Sequence, residues 1–393
     1  MPAESAVPLR LLMVTPNFPP DVGGVQTYSY ELANQLAPRC EAFVVLAPWR
    51  AGGRAFDRGL PYRVVRAPAP FDNQAFSGMV PVSLVARRHR LDTAFATHWS
   101  AAYAAMRSLT GWPKRTLCAA HGKELLLTPL AGFAPAQSVY DAVRGRVLAH
   151  ADRFACVSNY TAQVLIGLGV DRGRVSVVPN GVDPAFFRPG QKRNALRGGR
   201  LADGPRLLTV ARLVRRKGID RVIQALPKIA ERLPAVEYVV VGDGPDRERL
   251  RALAQAGGVT DRIRWMPDVR RDELVAVYNA CDLFVLPASG DPPDVEGFGL
   301  AILEASACGL PAIGSSEGGI PDAIVHGETG LTIDLQRPNA LEDAVVTVMS
   351  DPDLARRMGR AGRRHTESRA NWTRSADGIV AAIQEITPRA GRD

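Results

Sequence analysis

Two carboxylates separated by a glycine-rich turn are the first candidates for ligand chemistry. The segment Glu296–Glu304 reads EGFGLAILE, with Glu296 before a predicted helix and Glu304 inside it. The Gly-Phe-Gly sequence permits close backbone approach and a tight entry into the helix. A helix N-terminus favours a phosphate through its free N–H groups and dipole, and carboxylates accept hydrogen bonds from hydroxyls. The pattern predicts a ligand with phosphate and sugar hydroxyls; two surface glutamates, one capping a helix, are the alternative.

A basic loop, Ala211–Gly218 (ARLVRRKG), follows directly after the predicted strand Arg206–Val210. Arg212 and Lys217 are its candidates for chemistry. Arginine offers a planar fork of donors and lysine a compact charge, and this pair is suited to a diphosphate. A solvated basic loop without a ligand would have the same composition.

Three further candidate positions follow predicted strands. Gly23 and Gly24 precede a helix, where adjacent glycines let the backbone contact a ligand, although a plain turn also needs glycine. His121, in CAAHGKE, is placed to bind a hydroxyl or support a charge; a histidine satisfied within the core is the alternative. Gly242 opens a turn that resembles a dinucleotide fingerprint, but the pattern fails at Arg247. This turn is therefore predicted to line one wall of a binding site and not to hold a nicotinamide.

Strand-like apolar runs alternate with helix-length amphipathic segments along the chain, and the alternation occurs twice. It predicts an α/β protein with two doubly wound parallel sheets. Such sheets bind ligands at the carboxyl ends of their strands, which is where the candidate residues lie. A breaker-rich stretch, Pro179–Gly190, followed by a polar basic stretch, favours a boundary between residues 1–187 and 188–371. The predicted strands are Leu9–Thr15, Phe43–Leu46, Tyr62–Val65, Ala94–Thr97, Thr116–Ala119, Arg153–Val157, Val175–Val178, Arg206–Val210, Val236–Val241, Arg262–Trp265, Leu283–Leu286, Pro311–Gly314 and Gly330–Ile333.

Composition limits the class of partner. The chain has 393 residues, a length typical of two domains, and a net charge of +9. Residues 1–187 hold 19 Lys and Arg against 12 Asp and Glu, a balance of +7, and the remainder holds 30 against 28. Excess positive charge favours an anionic partner such as a phosphate-bearing ligand or an acidic lipid surface. Nucleic acid is disfavoured, because no recognition motif is present and aromatic residues are only 6%.

Two further patterns are missing from the sequence. The start, MPAESAVPLR, has no apolar run suited to a signal peptide, and no window is apolar enough to span a membrane. A cytoplasmic location is therefore expected. His89 and His98 lack the companions and spacing of a zinc site, so no metal is expected.

Taken together, these segments resemble family four of the retaining glycosyltransferases, which have the GT-B fold. The matching segments occur in order over almost the whole chain: PNFPPDVGGVQTY, AAHGKE, VPNGVD, ARLVRRKG, VVVGDGP, EGFGLAILEASACGLP and SEGGIPD. The resemblance implies two Rossmann-like domains facing a cleft, the first for the acceptor and the second for a nucleotide-sugar donor. It also implies that the last helix, at about 372–386, packs back onto the first domain, and that no divalent metal is required.

The resemblance assigns a role to each candidate. Arg212 and Lys217 would hold the donor diphosphate and stabilise the charge on the leaving group. Glu296 would contact the donor sugar, Glu304 the nucleotide ribose, and His121 would lie near the reacting sugar. The residues expected to act in catalysis are His121, Arg212, Lys217 and Glu296; those expected to bind the donor are Gly23, Gly24, Arg212, Lys217, Gly242, Glu296, Gly297, Phe298, Gly299, Leu300 and Glu304.

The donor and acceptor are the open part of the sequence-based hypothesis. DPPDVEGFGLAILEA and the opening PNFPPDVGGVQTY are similar to bacterial mannosyltransferases that act on phosphatidylinositol mannosides, which implies GDP-mannose and a phosphorylated glycolipid. A UDP-sugar donor with a small-molecule or polysaccharide acceptor remains open. So do a sugar-nucleotide epimerase or phosphorylase and a non-catalytic nucleotide-sugar-binding protein.

Residues 72–92 bear on the acceptor. They combine apolar residues with the basic run Arg87–Arg90, which favours peripheral association with an anionic membrane at the inner face of the plasma membrane. A core-packed helix with a basic end is the alternative.

Overall fold

The computed structural model describes residues 9–68, 74–126, 134–190, 204–267, 269–290 and 294–386. The chain forms two compact units. The first unit is Met1–Pro179 with Trp372–Asp393, and the second is Asn180–Asn371.

The division at Pro179 precedes the predicted boundary at residue 187. The intervening residues are tied to the second unit, because the Arg363 guanidinium donates to the carbonyls of Pro184 (2.8 Å) and Phe187 (2.9 Å). The Phe187 ring also packs edge-on against Tyr278, with 5.9 Å between centroids. The predicted basic linker, 191–203, and the first two residues of the segment 72–92 lie outside the described residues.

The sheet of the first unit has seven parallel strands in the order β3-β2-β1-β4-β5-β6-β7. Its first strand buries Leu11–Val14 completely, as expected for a parallel strand covered on both faces. The strands are β1 Arg10–Val14, β2 Ala42–Pro48, β3 Arg63–Ala67, β4 Thr93–Ala96, β5 Arg115–Ala120, β6 Arg153–Cys156 and β7 Val175–Val177. The helices of this part are α1 Gly24–Leu36, α2 Gly53–Asp57, α3 Gln74–Ser77, α4 Met79–His89, α5 Trp99–Met106, α6 Lys123–Leu126, α7 Ala134–His150 and α8 Asn159–Gly167.

The second unit has six parallel strands in the order β10-β9-β8-β11-β12-β13. The strands are β8 Arg206–Val210, β9 Glu237–Val241, β10 Ile263–Met266, β11 Leu283–Leu286, β12 Ala312–Ser315 and β13 Gly330–Ile333. The helices are α9 Ile219–Arg232, α10 Arg247–Ala256, α11 Arg271–Asn279, α12 Leu300–Ala307, α13 Ala340–Ser350 and α14 Pro352–Ser368. Helix α9 shows why they pack: its buried residues Ile219, Val222, Ile223, Leu226 and Ile229 form one apolar stripe at helical spacing.

The last helix, α15 Trp372–Gln384, belongs to the first unit. The Trp372 ring lies 6.1 Å from the ring of Tyr28 on α1. Ser375 Oγ donates to the carbonyl of Pro179 at 2.7 Å. The chain therefore returns to its first unit after completing the second.

Both sheets have the doubly wound strand order, and each described strand overlaps a predicted one. The predicted α/β class with two parallel sheets is confirmed. In such a sheet the chain builds outward on one side of its first strand and then on the other, so a crevice opens where the two directions diverge. These switch points lie between β1 and β4 and between β8 and β11.

Candidate active site

The switch point of the second unit brings two predicted motifs together. The basic loop follows β8, and the loop that carries Glu296 follows β11, the neighbouring strand. Ser289 N donates to the carbonyl of Arg216 at 2.9 Å and holds one loop against the other. Because these loops begin at the carboxyl ends of adjacent strands, residues 79 positions apart in the chain become partners.

Glu296 is the centre of this arrangement. Lys217 Nζ donates to Glu296 Oε2 at 2.6 Å, and Arg216 Nε lies 3.4 Å from the same oxygen. The side chains of Lys217 and Glu296 are each 13% exposed. Burial raises the pKa of the Glu296 carboxyl, but the Lys217 ammonium and Arg216 guanidinium outweigh burial and hold that pKa below its usual value. Glu296 is therefore an ionised, hydrogen-bond-accepting group at neutral pH.

Arg212 lies at the start of the same loop with an exposed side chain. Its carbonyl accepts from Val214 N at 2.9 Å. Its guanidinium makes no ion pair with any described residue, so its donors are free for an anionic ligand. Lys217 and Arg212 thus differ: one cation is held by a carboxylate, and the other faces solvent.

Sequence reasoning missed Arg216. Three basic residues, Arg215–Lys217, are consecutive, and their types alone do not distinguish them. They form a short 3₁₀ turn that ends at Gly218, which turns Arg216 and Lys217 toward Glu296 and leaves Arg215 exposed.

Backbone geometry explains the glycine before helix α12. Gly299 has φ +91°, a left-handed conformation that favours glycine. A Cβ at this position would lie 2.9 Å from Ile320 Cδ1. Helix α12 begins directly after this turn, and the first N–H groups of a helix lack partners one turn earlier. Phe298 beside it is only 3% exposed, so its side chain belongs to the core and only its backbone is placed to meet a ligand.

The remaining predicted residues of this loop are partly exposed or structural. Gly297 and Leu300 are half-buried. Gly242 directly follows β9, and a Cβ there would lie 2.2 Å from the carbonyl oxygen of Ala211, which directly follows β8. Close packing of the two loops is thus sufficient reason for glycine at 242.

Glu304 lies about one turn into α12 and has a buried partner that sequence reasoning missed. Tyr278 Oη donates to Glu304 Oε2 at 2.7 Å. Burial first, and then the charge of Glu304, raise the pKa of Tyr278 well above its ordinary value. The phenol therefore stays protonated and orients the carboxylate.

In the first unit, His121 follows β5 and lies beside α1. Its Nε2 is 3.2 Å from the carbonyl oxygen of Thr97, and its ring meets Tyr28 edge-on at 4.7 Å. Glu124 Oε1 accepts from His121 N at 2.6 Å. Burial lowers the pKa of His121, opposed by Glu124 and by the bond to Thr97. A carbonyl only accepts, so Nε2 carries the proton of a neutral ring and Nδ1 is an acceptor.

The switch point of the first unit lies beside this histidine. Thr97 Oγ1 donates to Thr15 Oγ1 at 2.7 Å, which joins the ends of β1 and β4. Gly23 is the N-cap of α1 and Gly24 its first residue. A Cβ on Gly23 would meet Gln26 Oε1 at 2.5 Å, so a side chain there would displace Gln26 from the mouth of the helix.

His98, after β4, is a second half-buried histidine, to which the sequence analysis gave no role. Its Nδ1 accepts from Ser100 N at 3.1 Å, so its side chain caps α5. Burial lowers the pKa of His98 to about 4, with Glu124 opposing and His121 adding to the effect. It is therefore neutral and structural.

The described residues lack two kinds of feature. No group of three or more His, Cys, Asp or Glu there is placed to hold a metal ion. Among those same residues, no helix has the length and apolarity to cross a membrane.

Comparison with known proteins covers both units. Residues 22–186 match the family model described as Glycosyltransferase Family 4, and residues 193–365 match Glycosyl transferases group 1. A GDP-mannose-dependent alpha-(1-6)-phosphatidylinositol monomannoside mannosyltransferase of Mycobacterium tuberculosis is 34% identical over 92% of this chain and 95% of its own. The protein of the same name from Mycolicibacterium smegmatis is 32% identical over 93% and 96%. A GDP-mannose-dependent monoacylated alpha-(1-6)-phosphatidylinositol monomannoside mannosyltransferase of Corynebacterium glutamicum is 27% identical over 95% and 98%.

Solved structures share the fold. Sucrose-phosphate synthase from Thermosynechococcus elongatus is 22% identical with a TM-score of 0.75, covering 96% of this chain and 98% of its own. Anabaena HepE in complex with UDP is 18% identical with a TM-score of 0.74, covering 96% and 100%. Sequence similarity over nearly the whole length, with the same fold, shows that this chain belongs to glycosyltransferase family 4, the retaining enzymes of the GT-B fold that use a nucleotide sugar as donor.

Proposed function

We propose that this enzyme transfers mannose from GDP-mannose, with retention of configuration, to a hydroxyl of a phosphatidylinositol mannoside or a related glycolipid. The main structural support for the transfer reaction is the Lys217–Glu296 pair at the switch point of the second unit. Arg212 is exposed in the loop that contains Lys217. The names of three relatives that match more than 90% of the chain support the donor and the acceptor.

The leaving group of this reaction is a nucleoside diphosphate, whose negative charge grows as the glycosidic bond breaks. Arg212, Lys217 and the N-terminus of α12 supply fixed positive charge and N–H donors for it. Lys217 is already oriented by Glu296 at 2.6 Å, so little reorganisation accompanies the reaction. Three such groups provide charge stabilisation of the kind a divalent cation gives, and we include metal independence in the proposal.

The two carboxylates take different parts of the donor. Glu296, kept ionised by its two cations, accepts hydrogen bonds from hydroxyls of the donor sugar. Glu304, oriented by Tyr278, accepts them from the nucleotide ribose. The backbone of Gly297–Leu300 approaches the sugar and phosphate where side chains would obstruct it.

His121 is proposed to contact the reacting sugar. Its neutral ring offers Nδ1 as an acceptor because Nε2–H is directed at the carbonyl of Thr97. Gly23 and Gly24 are proposed to let the backbone at the start of α1 approach the diphosphate. The acceptor hydroxyl attacks the same face that the diphosphate leaves, and its proton passes to the departing phosphate, so no protein nucleophile is needed.

Helices α3 and α4 present a surface suited to a lipid acceptor. Phe76 on α3 and Val80 and Leu84 on α4 are 52%, 53% and 62% exposed, and they form what we term the apolar stripe. The basic run Arg87–Arg90 follows at the end of α4. The opposite face of α4, including Val82, is buried in the core. We propose that the apolar stripe enters an anionic bilayer while the arginines contact its headgroups. A cytoplasmic location at the inner face of the plasma membrane stays a prediction.

Donor choice is tested by thermal unfolding with GDP, UDP, ADP and their mannose or glucose conjugates. A ligand that binds only the folded state raises the melting temperature. The proposal expects GDP and GDP-mannose to stabilise selectively. Stabilisation by UDP-sugars alone would exclude GDP-mannose as the donor without changing the family assignment. If a nucleotide stabilises the protein but neither transfer nor donor hydrolysis is detected, the chain is a non-catalytic binding protein.

The acceptor is tested by transfer of labelled mannose from GDP-mannose to vesicles containing phosphatidylinositol mannosides. We expect label in the lipid fraction, in an amount that EDTA does not change. Transfer that EDTA inhibits would contradict metal independence.

Membrane association is tested with a double variant. Val80→Asp with Leu84→Asp should abolish co-sedimentation with anionic vesicles. The matched control is Leu168→Asp with Val177→Asp, at exposed apolar positions elsewhere in the same unit. Equal loss in both pairs contradicts a specific role for the apolar stripe.

A further inference from the structure

A basic cavity of about 410 Å³ lies at the amino ends of β1, β2 and β3. This is the end of the sheet opposite to His121, which follows the carboxyl end of β5. The volume lies within the range of small-molecule sites. We term this cavity the basic cavity, and its wall includes Arg10, Phe43, Arg63, Arg88, His89 and Arg90.

One of these arginines is committed to the fold. Arg10 Nε donates to the carbonyl of Arg90 at 2.8 Å, and Nη2 donates to the carbonyl of His89 at 2.9 Å. Its Nη1 pairs with Glu41. Arg10 thus closes the C-terminal end of α4, whose carbonyls would otherwise repel an anion, and neutralises the neighbouring carboxylate.

The other arginines are available to a ligand. Arg63, Arg88 and Arg90 are exposed, and none of them forms an ion pair with a residue in the described ranges. They come from two different elements, the start of β3 and the end of α4, and converge on one cavity. Burial first, and then the positive charges of Arg63 and Arg88, lower the pKa of His89, which lines the same cavity.

We infer that the basic cavity is a binding site for a phosphate group, held by the guanidinium groups of Arg63, Arg88 and Arg90. Arginine forms bidentate hydrogen bonds with phosphate oxygens, and Phe43 provides an apolar wall for the carbon atoms next to the phosphate. A phospholipid headgroup and a free phosphate ester share this chemistry. The inference does not depend on the proposed mannose transfer, because the cavity lies at the other end of the sheet from His121.

The test compares two double variants of the full chain with the same loss of charge. Arg63→Ala with Arg88→Ala removes two cavity arginines. Arg54→Ala with Arg58→Ala removes two exposed arginines of the same unit that neither line the cavity nor belong to the basic run Arg87–Arg90. Binding of glycerol 1-phosphate is measured by calorimetry. Binding to phosphatidylcholine vesicles with and without phosphatidylglycerol is measured by co-sedimentation, in both cases without donor.

The expected result is that the cavity variant loses affinity for glycerol 1-phosphate by more than about tenfold, since it lacks two charge-assisted contacts, while the control pair stays within about twofold. Loss for anionic vesicles alone also supports the inference and assigns the phosphate to a lipid. If both variants lose the same affinity, the binding comes from diffuse surface charge and the inference is wrong. The inference is also wrong if the cavity variant has a wild-type melting temperature and binds with wild-type affinity. Donor hydrolysis, measured on the same samples, reports separately on the proposed function.

Discussion

Replacing Lys217 with methionine tests the chemistry of the site most directly. Methionine keeps the length and apolar stem of lysine but removes the ammonium that donates to Glu296 at 2.6 Å. If Lys217 stabilises the leaving diphosphate, its loss resembles removal of one preorganised transition-state donor, and we expect kcat to fall by about 10²–10³ (~2.7–4 kcal/mol).

Affinity for GDP should fall much less than kcat. In the free enzyme Lys217 is already hydrogen-bonded to Glu296, so the diphosphate gains only the difference between two partners. Arg212 remains exposed and able to bind the diphosphate. We expect a loss of no more than about tenfold in affinity for GDP, or ~1.4 kcal/mol. The additional negative charge on the leaving group is absent from the bound donor and grows as the glycosidic bond breaks, so loss of the ammonium lowers kcat more than it lowers donor affinity.

The cost to stability is bounded by the second cation of the site. Removing one member of a buried ion pair costs about 3–5 kcal/mol. Arg216 stays 3.4 Å from the carboxylate, so the free energy of unfolding should fall by about 3 kcal/mol or less. A thermal unfolding curve confirms that the variant is folded at the assay temperature.

Arg215→Met is the matched control, because Arg215 is an exposed cation in the same short turn. Its kcat should stay within about twofold of the wild type, as expected for a surface charge. The assay is initial-rate mannose transfer, or donor hydrolysis, at saturating GDP-mannose. A Lys217→Met enzyme with kcat within about threefold of the wild type, or an equal loss in Arg215→Met, would refute the assigned role.

Three further predictions follow from the second unit. Tyr278→Phe removes the hydrogen bond to Glu304 (2.7 Å). We expect the free energy of unfolding to fall by ~1.5–3 kcal/mol and the affinity for GDP to fall as well. Unchanged urea unfolding and an unchanged GDP titration would contradict this expectation. The pKa of Glu296 is lowered in the folded state from its ordinary value of 4.5. Its ionised form therefore stabilises the fold above that value, and the stabilisation is lost as the pH falls through the folded pKa. The difference in unfolding free energy between wild type and Glu296→Gln should therefore shrink below about pH 4.5, and a constant difference down to pH 3 would disprove it. Gly299→Ala should lower the melting temperature more than Gly52→Ala, because both glycines have positive φ but only the first new Cβ meets a side-chain atom within 3.0 Å; equal shifts would contradict the steric argument.

Runs of apolar residues in the sequence predicted the positions of the strands. Parallel strands are buried on both faces, so few polar residues interrupt them. Strand β1, RLLMV, and strand β9, EYVVV, are recognisable in isolation. Most helices of the first unit were not predicted individually. Helix α5, WSAAYAAM, is buried over nearly its whole surface, so it lacks the polar face that makes a helix visible as a periodic pattern.

The sequence by itself determined the motifs and their order along the chain, since a diphosphate site needs cations and close backbone approach wherever it is built. Glu296, Lys217, Arg212 and Glu304 were all selected as candidates from residue type and position after a strand. The tertiary structure alone decided which of them touch. Strands β8 and β11 are neighbours although two strands separate them in the chain, and this adjacency puts Lys217 and Arg216 on the same oxygen of Glu296.

The same limit explains Tyr278 and the basic cavity. Tyr278 is one apolar residue among many until the packing of α11 against α12 places its hydroxyl on Glu304, 26 positions away. Arg63 and Arg88 are 25 positions apart in the sequence, and only the fold brings them together at the ends of three strands. Local sequence specifies helices and strands because backbone preference and burial act over a few residues. Hydrogen bonds and ion pairs between distant residues depend on the order of the strands, which is set only when the core assembles.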